Sequence, residues 1–375
     1  MRKIRTGIVG CGKVGHLHAA ALRSLPQSQF VAVCSRSPER AGTFAGQYGV
    51  QAYTDAGEMI ERAGVEALMI CTPHPLHTEP TIEAAKRGVH VLVEKPMAAS
   101  LADCDRMIEA ARTGKAKLGV ISQRRFYAPC QRMRRAIDKG KVGKPVLGTV
   151  TMLGWRDQAY YGSDPWRGKW QAEGGGVLVN QTPHQLDLLN WFMGPIDQLF
   201  GFWDNLNHPY IEVEDTAVAV LRFKSGALGN IVVSNSQNPA LYGKVHLFGS
   251  NGASIGVQTD GGAMFIAGMS KIAEPPVNDL WTISGEEQML ETWKKKDTAF
   301  FQTINSTEHY HRIQIEDFLD ALLDNREPLV TAEDGRRTVE LFTAIYRSQR
   351  DKAPVQFPLK PEKRSDMDGR LGSVR

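Results

Sequence analysis

Lys95 and His184 are the two side chains of this 375-residue chain whose surroundings suit proton chemistry. Lys95 follows the apolar run from Val89 to Val93, interrupted only by His90, and precedes Pro96, which cannot donate to a sheet ladder. The lysine is thereby held at the carboxyl end of a short strand. There it can give or take a proton, or clamp a ligand electrostatically. His184 lies in the stretch Gly174-Gly175-Gly176-Val177-Leu178-Val179-Asn180-Gln181-Thr182-Pro183-His184-Gln185-Leu186-Asp187. Imidazole titrates near neutral pH, and Asn180, His184 and Asp187 recur at i, i+4 and i+7, which predicts one polar helix face turned to a cleft. Ahead of it, Trp155, Arg156, Tyr160, Tyr161, Trp166, Arg167 and Trp170 place aromatic rings beside hydrogen-bonding groups, the combination against which sugar rings bind.

A third constellation binds rather than reacts. The run from Ile4 to Val9 predicts a strand, Gly10-Cys11-Gly12-Lys13-Val14-Gly15 follows, and a helix is predicted from about His16 to Ser24. In that context Gly10 makes the tight turn, Gly12 admits a pyrophosphate close to the backbone, and Gly15 permits close helix–strand packing. Amide groups at the helix start then face the phosphates. A second strand, Phe30 to Cys34, ends at Ser35-Arg36-Ser37, without the acid that binds a ribose 2′-hydroxyl. Arg36, with Arg40 and the serines, suits a 2′-phosphate, so NADP(H) is favoured and NAD(H) is possible; the alternative is that Arg36 stacks on adenine or points to solvent.

These residues need elements to position them. Helices near Pro38 to Tyr48 and Thr78 to Arg87 alternate with strands near Ala67 to Cys71, Val89 to Val93 and Leu118 to Ser122, and Ser100-x-x-Asp103 opens another helix. The alternation predicts a doubly wound parallel sheet over residues 1–122. Its carboxyl edge gathers Thr72, Pro73, His74, His77, Glu94 and Lys95, with Gln123 at the exit; His77 either caps the next helix or lines the cofactor cleft. Arg124, Arg125 and Tyr127 follow; the basic residues here either form a solvated face or, at Arg124 and Arg125 nearest the cleft, meet an anionic or polyol substrate. From Lys144 the period becomes strand-like: Val146 to Leu153, Val213 to Phe223, Leu228 to Asn235 and Lys244 to Phe248, a mostly antiparallel sheet. The stretch from Ala263 to Thr303 supports no reading. Helices from Tyr310 to Leu323 and from Thr331 to about Ser348 close a second α/β domain, 123–358. The charged tail, 359–375, is expected to be disordered.

A net charge of +4 is too small and too dispersed to argue for nucleic acid or membrane partners. Five widely spaced cysteines read as reduced thiols in a cytoplasmic protein, and no metal-ligand spacing appears among them. No apolar segment is long enough to span a bilayer, and the first residues are not those of a signal peptide.

The glycine motif with His18 after it, Thr72-Pro73-x-x-x-His77, Glu94-Lys95-Pro96, Trp166-Arg167 and His184-x-x-Asp187 together resemble the Gfo/Idh/MocA family of oxidoreductases over nearly the whole chain. The resemblance implies a Rossmann domain joined to an α/β domain with an open antiparallel sheet, commonly packed on another subunit's sheet as a homodimer or homotetramer. It implies hydride transfer between a nicotinamide ring and a carbinol carbon of a sugar, glycoside or cyclitol, as in sugar and inositol dehydrogenases. Lys95 would then polarise the reacting hydroxyl, His184 would be the general acid/base, and Trp166 and Arg167 would lie near the nicotinamide. Asn180, Gln181, Arg124, Tyr127, Trp155, Arg156 and Tyr161 complete the expected substrate set. The family often has aspartate where this chain has Asn180, and an amide cannot relay a proton. An NAD-assisted glycoside hydrolase and a non-catalytic cofactor-sensing regulator are the alternatives on the same fold.

Overall fold

The computed structural model describes residues 2–259, 272–362 and 367–371. The chain divides into two compact units, Met1–Gln123 with Thr307–Arg336, and Arg124–Ser306 with Arg337–Arg375.

The first unit alternates strand and helix: β1 Ile4–Val9, α1 Lys13–Ser24, β2 Ser28–Cys34, α2 Pro38–Tyr48, β3 Gln51–Tyr53, α3 Ala56–Ala63, β4 Ala67–Ile70, α4 Thr78–Lys86, β5 His90–Val93, α5 Leu101–Thr113 and β6 Leu118–Val120. β4 is buried throughout and β5 nearly so, as strands covered on both faces must be. Helix starts are set by side-chain caps: Ser37, Asp55 and Ser100 accept from the amides of Arg40, Glu58 and Asp103. The six strands are parallel in the order β3-β2-β1-β4-β5-β6. Strand order reverses between β1 and β4, so the loops that leave these two strands flank the switch point where such sheets bind ligands.

The second unit comprises α6 Ala128–Asp138, β7 Pro145–Leu153, α7 Gln158–Gly162, α8 Trp170–Glu173, α9 Pro183–Met193, β8 Ile196–Asp204, β9 Thr216–Phe223, β10 Leu228–Ser234, β11 Gly243–Gly249, β12 Ser254–Thr259, β13 Val277–Trp281 and α10 Met289–Gln302. It also holds most of α12 (Ala332–Asp351) and β14 (Val355–Gln356). Among the described residues its eight strands run β13-β12-β11-β7-β10-β9-β8-β14 and pair antiparallel except β7 with β10. One face of this sheet carries α9, admitted closely because Gly148 has no side chain: a Cβ there would lie 2.7 Å from Met193. Phe202, Val218, Val220, Leu228 and Val232 leave the other face apolar and exposed.

Three expectations need correction. The helix read from Tyr310 to Leu323, α11 (Ser306–Leu323), does not belong with a continuous second domain: Ile315, Phe318 and Leu319 join the core of Ile8, Val33, Met69 and Leu92. The tail is not wholly disordered. Asp368 is buried against Arg347 at 2.6 Å, and buried Arg370 stacks on Tyr346 and Phe342, so these charges are paired or packed rather than solvated. Residues 363–366 and 372–375 of that tail lie outside the described residues. Finally, the helix read through Asn180 and His184 is two pieces, a π-helical turn Val177–Gln181 and then α9, broken at Thr182-Pro183. The single polar face is therefore lost.

Candidate active site

The glycine loop meets its stereochemical assignment. Gly10 has φ +111°, and a Cβ there would lie 2.6 Å from the Cys71 backbone. A Cβ on Gly15 would lie 2.3 Å from the Gly10 carbonyl oxygen, whereas one on Gly12 would meet nothing within 4 Å. The loop is thus closed on the protein side and open at Gly12, which is the N-cap of α1. That helix has no side-chain cap and no acid in its first turn, so its amides and dipole are left for an anion. These features fit a dinucleotide pyrophosphate. Lys13 and Val14 stand at this helix start, and Cys11, half-buried beside it, has its thiol pushed up to about 11 by burial, which removes it from nucleophilic chemistry.

At the end of β2, Ser35 and Ser37 shape the turn: the Ser37 amide donates to Ser35 Oγ at 3.4 Å and the Arg40 amide to Ser37 Oγ at 3.2 Å. Arg36 and Arg40 are exposed.

The lysine loop is anchored from several elements. The Lys95 amide donates to Glu94 Oε2 at 3.2 Å, while Glu94 Oε1 receives His18 Nε2 at 2.8 Å and faces His311 Nε2 at 3.6 Å. Burial alone would raise the Glu94 carboxyl, but the bonds from His18 and His311 reverse this and hold it well below the usual carboxylate range. His77 does not use its side chain as a cap. Its buried ring bridges two loops, Nε2 at 2.8 Å from the Thr72 carbonyl oxygen and Nδ1 at 3.1 Å from that of Pro96, so it fixes Thr72-Pro73 against Glu94-Lys95-Pro96. His74 packs edge-on to it.

Three potential metal ligands, His18, Glu94 and His311, come within 4.8 Å of one another. Two ligands on a zinc-sized ion at ~2.1 Å would stand about 3.4 Å apart. The 2.8 Å between His18 and Glu94 is a hydrogen-bond distance, closer than two ligands of a tetrahedral zinc would stand.

In the second unit, one polar network gathers much of the expected substrate set. Gln181 Nε2 donates to the Tyr160 hydroxyl at 2.8 Å and its Oε1 accepts from Asn235 Nδ2 at 3.1 Å. Asn235 also donates to the Tyr161 hydroxyl at 3.2 Å. Arg167 donates to Tyr160 at 2.6 Å and lies over the Trp166 and Tyr160 rings at 4.5 and 4.4 Å. Asn180 Nδ2 donates to Glu173 and, at 3.3 Å, to Tyr160. His184 opens α9 after Pro183 and is buried, while Trp155 is half-buried beside His208.

Some candidates are spent elsewhere. Arg125 is not turned to a cleft: it forms a bidentate pair with Asp187, at 2.8 and 2.7 Å, with side chains only 2% and 5% exposed. Asp187 is accordingly lost from the proposed polar face. Arg156 is buried over Tyr160 at 5.3 Å and donates to the Trp155 carbonyl. Arg124 and Tyr127 are buried too, and Gln123 begins a short 3-10 turn leading out of the first unit.

Sequence reasoning missed four groups. Glu173, buried and bonded to Asn180 and the Gly168 amide, has its carboxyl pushed up to about 7 by burial. Glu214, also pushed up to about 7, accepts from the amides of Gly176 and Leu178 and from Tyr346. His208 bridges Asp215 and the Arg156 carbonyl at 2.7 and 2.8 Å. His311 reaches Glu94 from α11. Nothing in their local spacing separates them from solvated polar residues.

Residues 4–122 match the family model described as oxidoreductase family, NAD-binding Rossmann fold, and residues 130–255 match the GFO/IDH/MocA C-terminal domain. The WlbA dehydrogenase from Bordetella pertussis, solved in complex with NADH and UDP-GlcNAcA, is 30% identical, with a TM-score of 0.79 over 96% of this chain and 100% of that one. Myo-inositol 2-dehydrogenase of Thermotoga maritima is 28% identical over 94% of this chain and 98% of its own length. The scyllo-inositol 2-dehydrogenase (NAD(+)) of Bacillus subtilis is 26% identical over 96% and 97%. With both domain models matched in order and a relative at this identity aligned along its full length, the chain belongs to the Gfo/Idh/MocA family of oxidoreductases.

Proposed function

We propose that this protein is a nicotinamide-dependent dehydrogenase acting on a CH–OH carbon of a sugar, glycoside or cyclitol. The observation that carries the reading is Lys95, its backbone amide bonded to Glu94 at the carboxyl edge of the same sheet whose first strand ends in a glycine loop with the stereochemistry of a pyrophosphate cradle. The nicotinamide supplies the hydride acceptor or donor. The chain's own residues do the rest: Lys95 stabilises developing negative charge on the reacting oxygen, and His184 takes or returns the hydroxyl proton. Asn180 orients substrate hydroxyls with Glu173 behind it, and Gln181, Tyr161, Trp155 and Trp166 line the sugar side. Residues 1–122 serve the cofactor, and the sheet unit serves the substrate.

NADP(H) is the favoured cofactor, NAD(H) being also admitted. Exposed Arg36 and Arg40 support the 2′-phosphate, while the NAD(+)-dependent inositol dehydrogenase of Bacillus subtilis and the NADH-bound WlbA support NAD. The apolar sheet face supports a homodimer or homotetramer in a cytoplasmic enzyme. No described helix is long and apolar enough to cross a membrane.

The test is reduced-nicotinamide absorbance over a panel of sugars, inositols and glycosides, with each cofactor, for the wild type, Lys95→Met and His184→Ala. Turnover should fall by roughly 10²–10⁴ in each variant while cofactor-induced thermal stabilisation persists. Full turnover in both folded variants refutes the assignment. Product formed without net cofactor reduction would favour glycoside cleavage instead.

A further inference from the structure

His311 is used by no step above, yet it is buried against the carboxylate that holds Lys95. Its Nδ1 lies 2.7 Å from the Thr307 carbonyl oxygen on its own helix, and a carbonyl only accepts, so Nδ1 carries a proton. Its Nε2 faces Glu94 Oε1 at 3.6 Å. A lone pair aimed at a carboxylate oxygen would repel it, so Nε2 carries a proton as well. His18 completes the cluster from α1, its ring 5.8 Å from that of His311.

We propose that His311 is a positioning residue for hydride transfer: a permanent imidazolium that neutralises Glu94, so that Lys95 sits beside an uncharged pair rather than a bare carboxylate. This rests on the reading of Lys95 as the group acting on the reacting oxygen. Groups facing the pair from other elements are His18 of α1, Cys71 after β4, His77 at the start of α4, and Lys95 itself. Burial works against a charged His311, and the Glu94 carboxylate more than offsets it, holding the ring above its usual range; Lys95 opposes weakly.

The experiment is the pH dependence of kcat/KM for polyol oxidation by the full-length protein and three variants. In His311→Gln the carboxylate is unbalanced, Lys95 holds its proton harder, and the limb shifts to higher pH by a fraction of a pH unit, the reciprocal of the weak effect of Lys95 on His311. In the double variant Glu94→Gln with His311→Gln the site is neutral again, and the limb returns to the wild-type position whatever the loss in amplitude. A packing role alone would lower amplitude without moving the limb, and would not reverse in the double variant; that result overturns the inference. Imidazole ¹⁵N NMR, with His311 assigned by its absence in the variant, gives a readout independent of turnover. A doubly protonated ring at pH 8 is expected, and a neutral ring there overturns the inference. Stoichiometric metal in the purified protein also overturns it. Lys95→Met separates the two readings: if it retains turnover, the role of Lys95 fails, whereas loss of turnover there with an unmoved limb in His311→Gln defeats only the role of His311.

Discussion

Removing the carboxylate of Asp187 is expected to destabilise the second unit by about 3 kcal/mol. The guanidinium of Arg125 is almost wholly buried and makes two charge-assisted bonds to that carboxylate, at 2.8 and 2.7 Å. Asp187→Ala leaves this cation in place with its counter-ion gone, a change that costs roughly 3–5 kcal/mol in buried pairs. The ring of Trp191, with the guanidinium 5.2 Å from its centroid, remains as a weak partner worth about 0.5–2 kcal/mol, which puts the expectation at the lower end. Arg125→Met combined with Asp187→Leu removes both charges and should lie within about 1 kcal/mol of the wild type, because exchanging a whole buried pair for apolar volume is close to neutral. Urea unfolding followed by tryptophan fluorescence, which Trp191 reports, and by far-ultraviolet circular dichroism measures both. His184 stands three residues before Asp187 on α9, so the single variant should also lose kcat without losing cofactor affinity. If Asp187→Ala stays within 1 kcal/mol of the wild type, the pair contributes nothing and the account of α9 is wrong.

Gly12→Val should leave stability intact and abolish cofactor binding in a fluorescence titration, because its side chain enters open space. Gly15→Ala, whose Cβ would strike the Gly10 carbonyl, should instead lower the melting temperature. Asp215 is held below its ordinary 3.8, since bonds from His208 and the amides of Leu206 and Asn207 outweigh burial, which acts the other way. Its stabilisation is therefore complete above about pH 4–5 and is lost as pH falls through the folded value. Asp215→Asn should be less stable than the wild type at pH 7, with the gap closing towards pH 2 in melting scans. Val220→Asp, placing a charge in the exposed apolar sheet face, should shift the protein to smaller species in analytical ultracentrifugation.

What could be read from the sequence was what depends on neighbours along the chain. Gly10, Gly12 and Gly15 sit between a strand and a helix, and Lys95 is fixed by the strand before it and the proline after it. The strand read over Val213 to Phe223 has its counterpart in β9, but which residues turn inward was not legible, since Val218 and Val220 on the exposed face are as apolar as the buried Ala219 and Leu221. β3 and β14 were too short to announce themselves, at three and two residues. The π-helical turn at Asn180 has the composition of an ordinary helix, so its altered phase was invisible. Glu173, Glu214, His208 and His311 acquire their character from burial against partners distant in sequence; Glu214, for instance, meets Tyr346. Arg125 and Asp187 looked like two cleft residues because nothing local indicates that they satisfy each other.

The return of α11 to the first unit also has a bearing on synthesis. Gln314 spans the open side of β6, accepting from the Ser122 amide and donating to the Val120 carbonyl, while Ile315, Phe318 and Leu319 fill the core beneath. When the ribosome has completed Gln123, that sheet has neither its cover nor its last core residues, and residues 124–306 must be made before they arrive. At ~5–20 residues per second this is a wait on the order of 10–40 s with a β edge unprotected. Residues 1–123 expressed alone should therefore aggregate where the full chain does not.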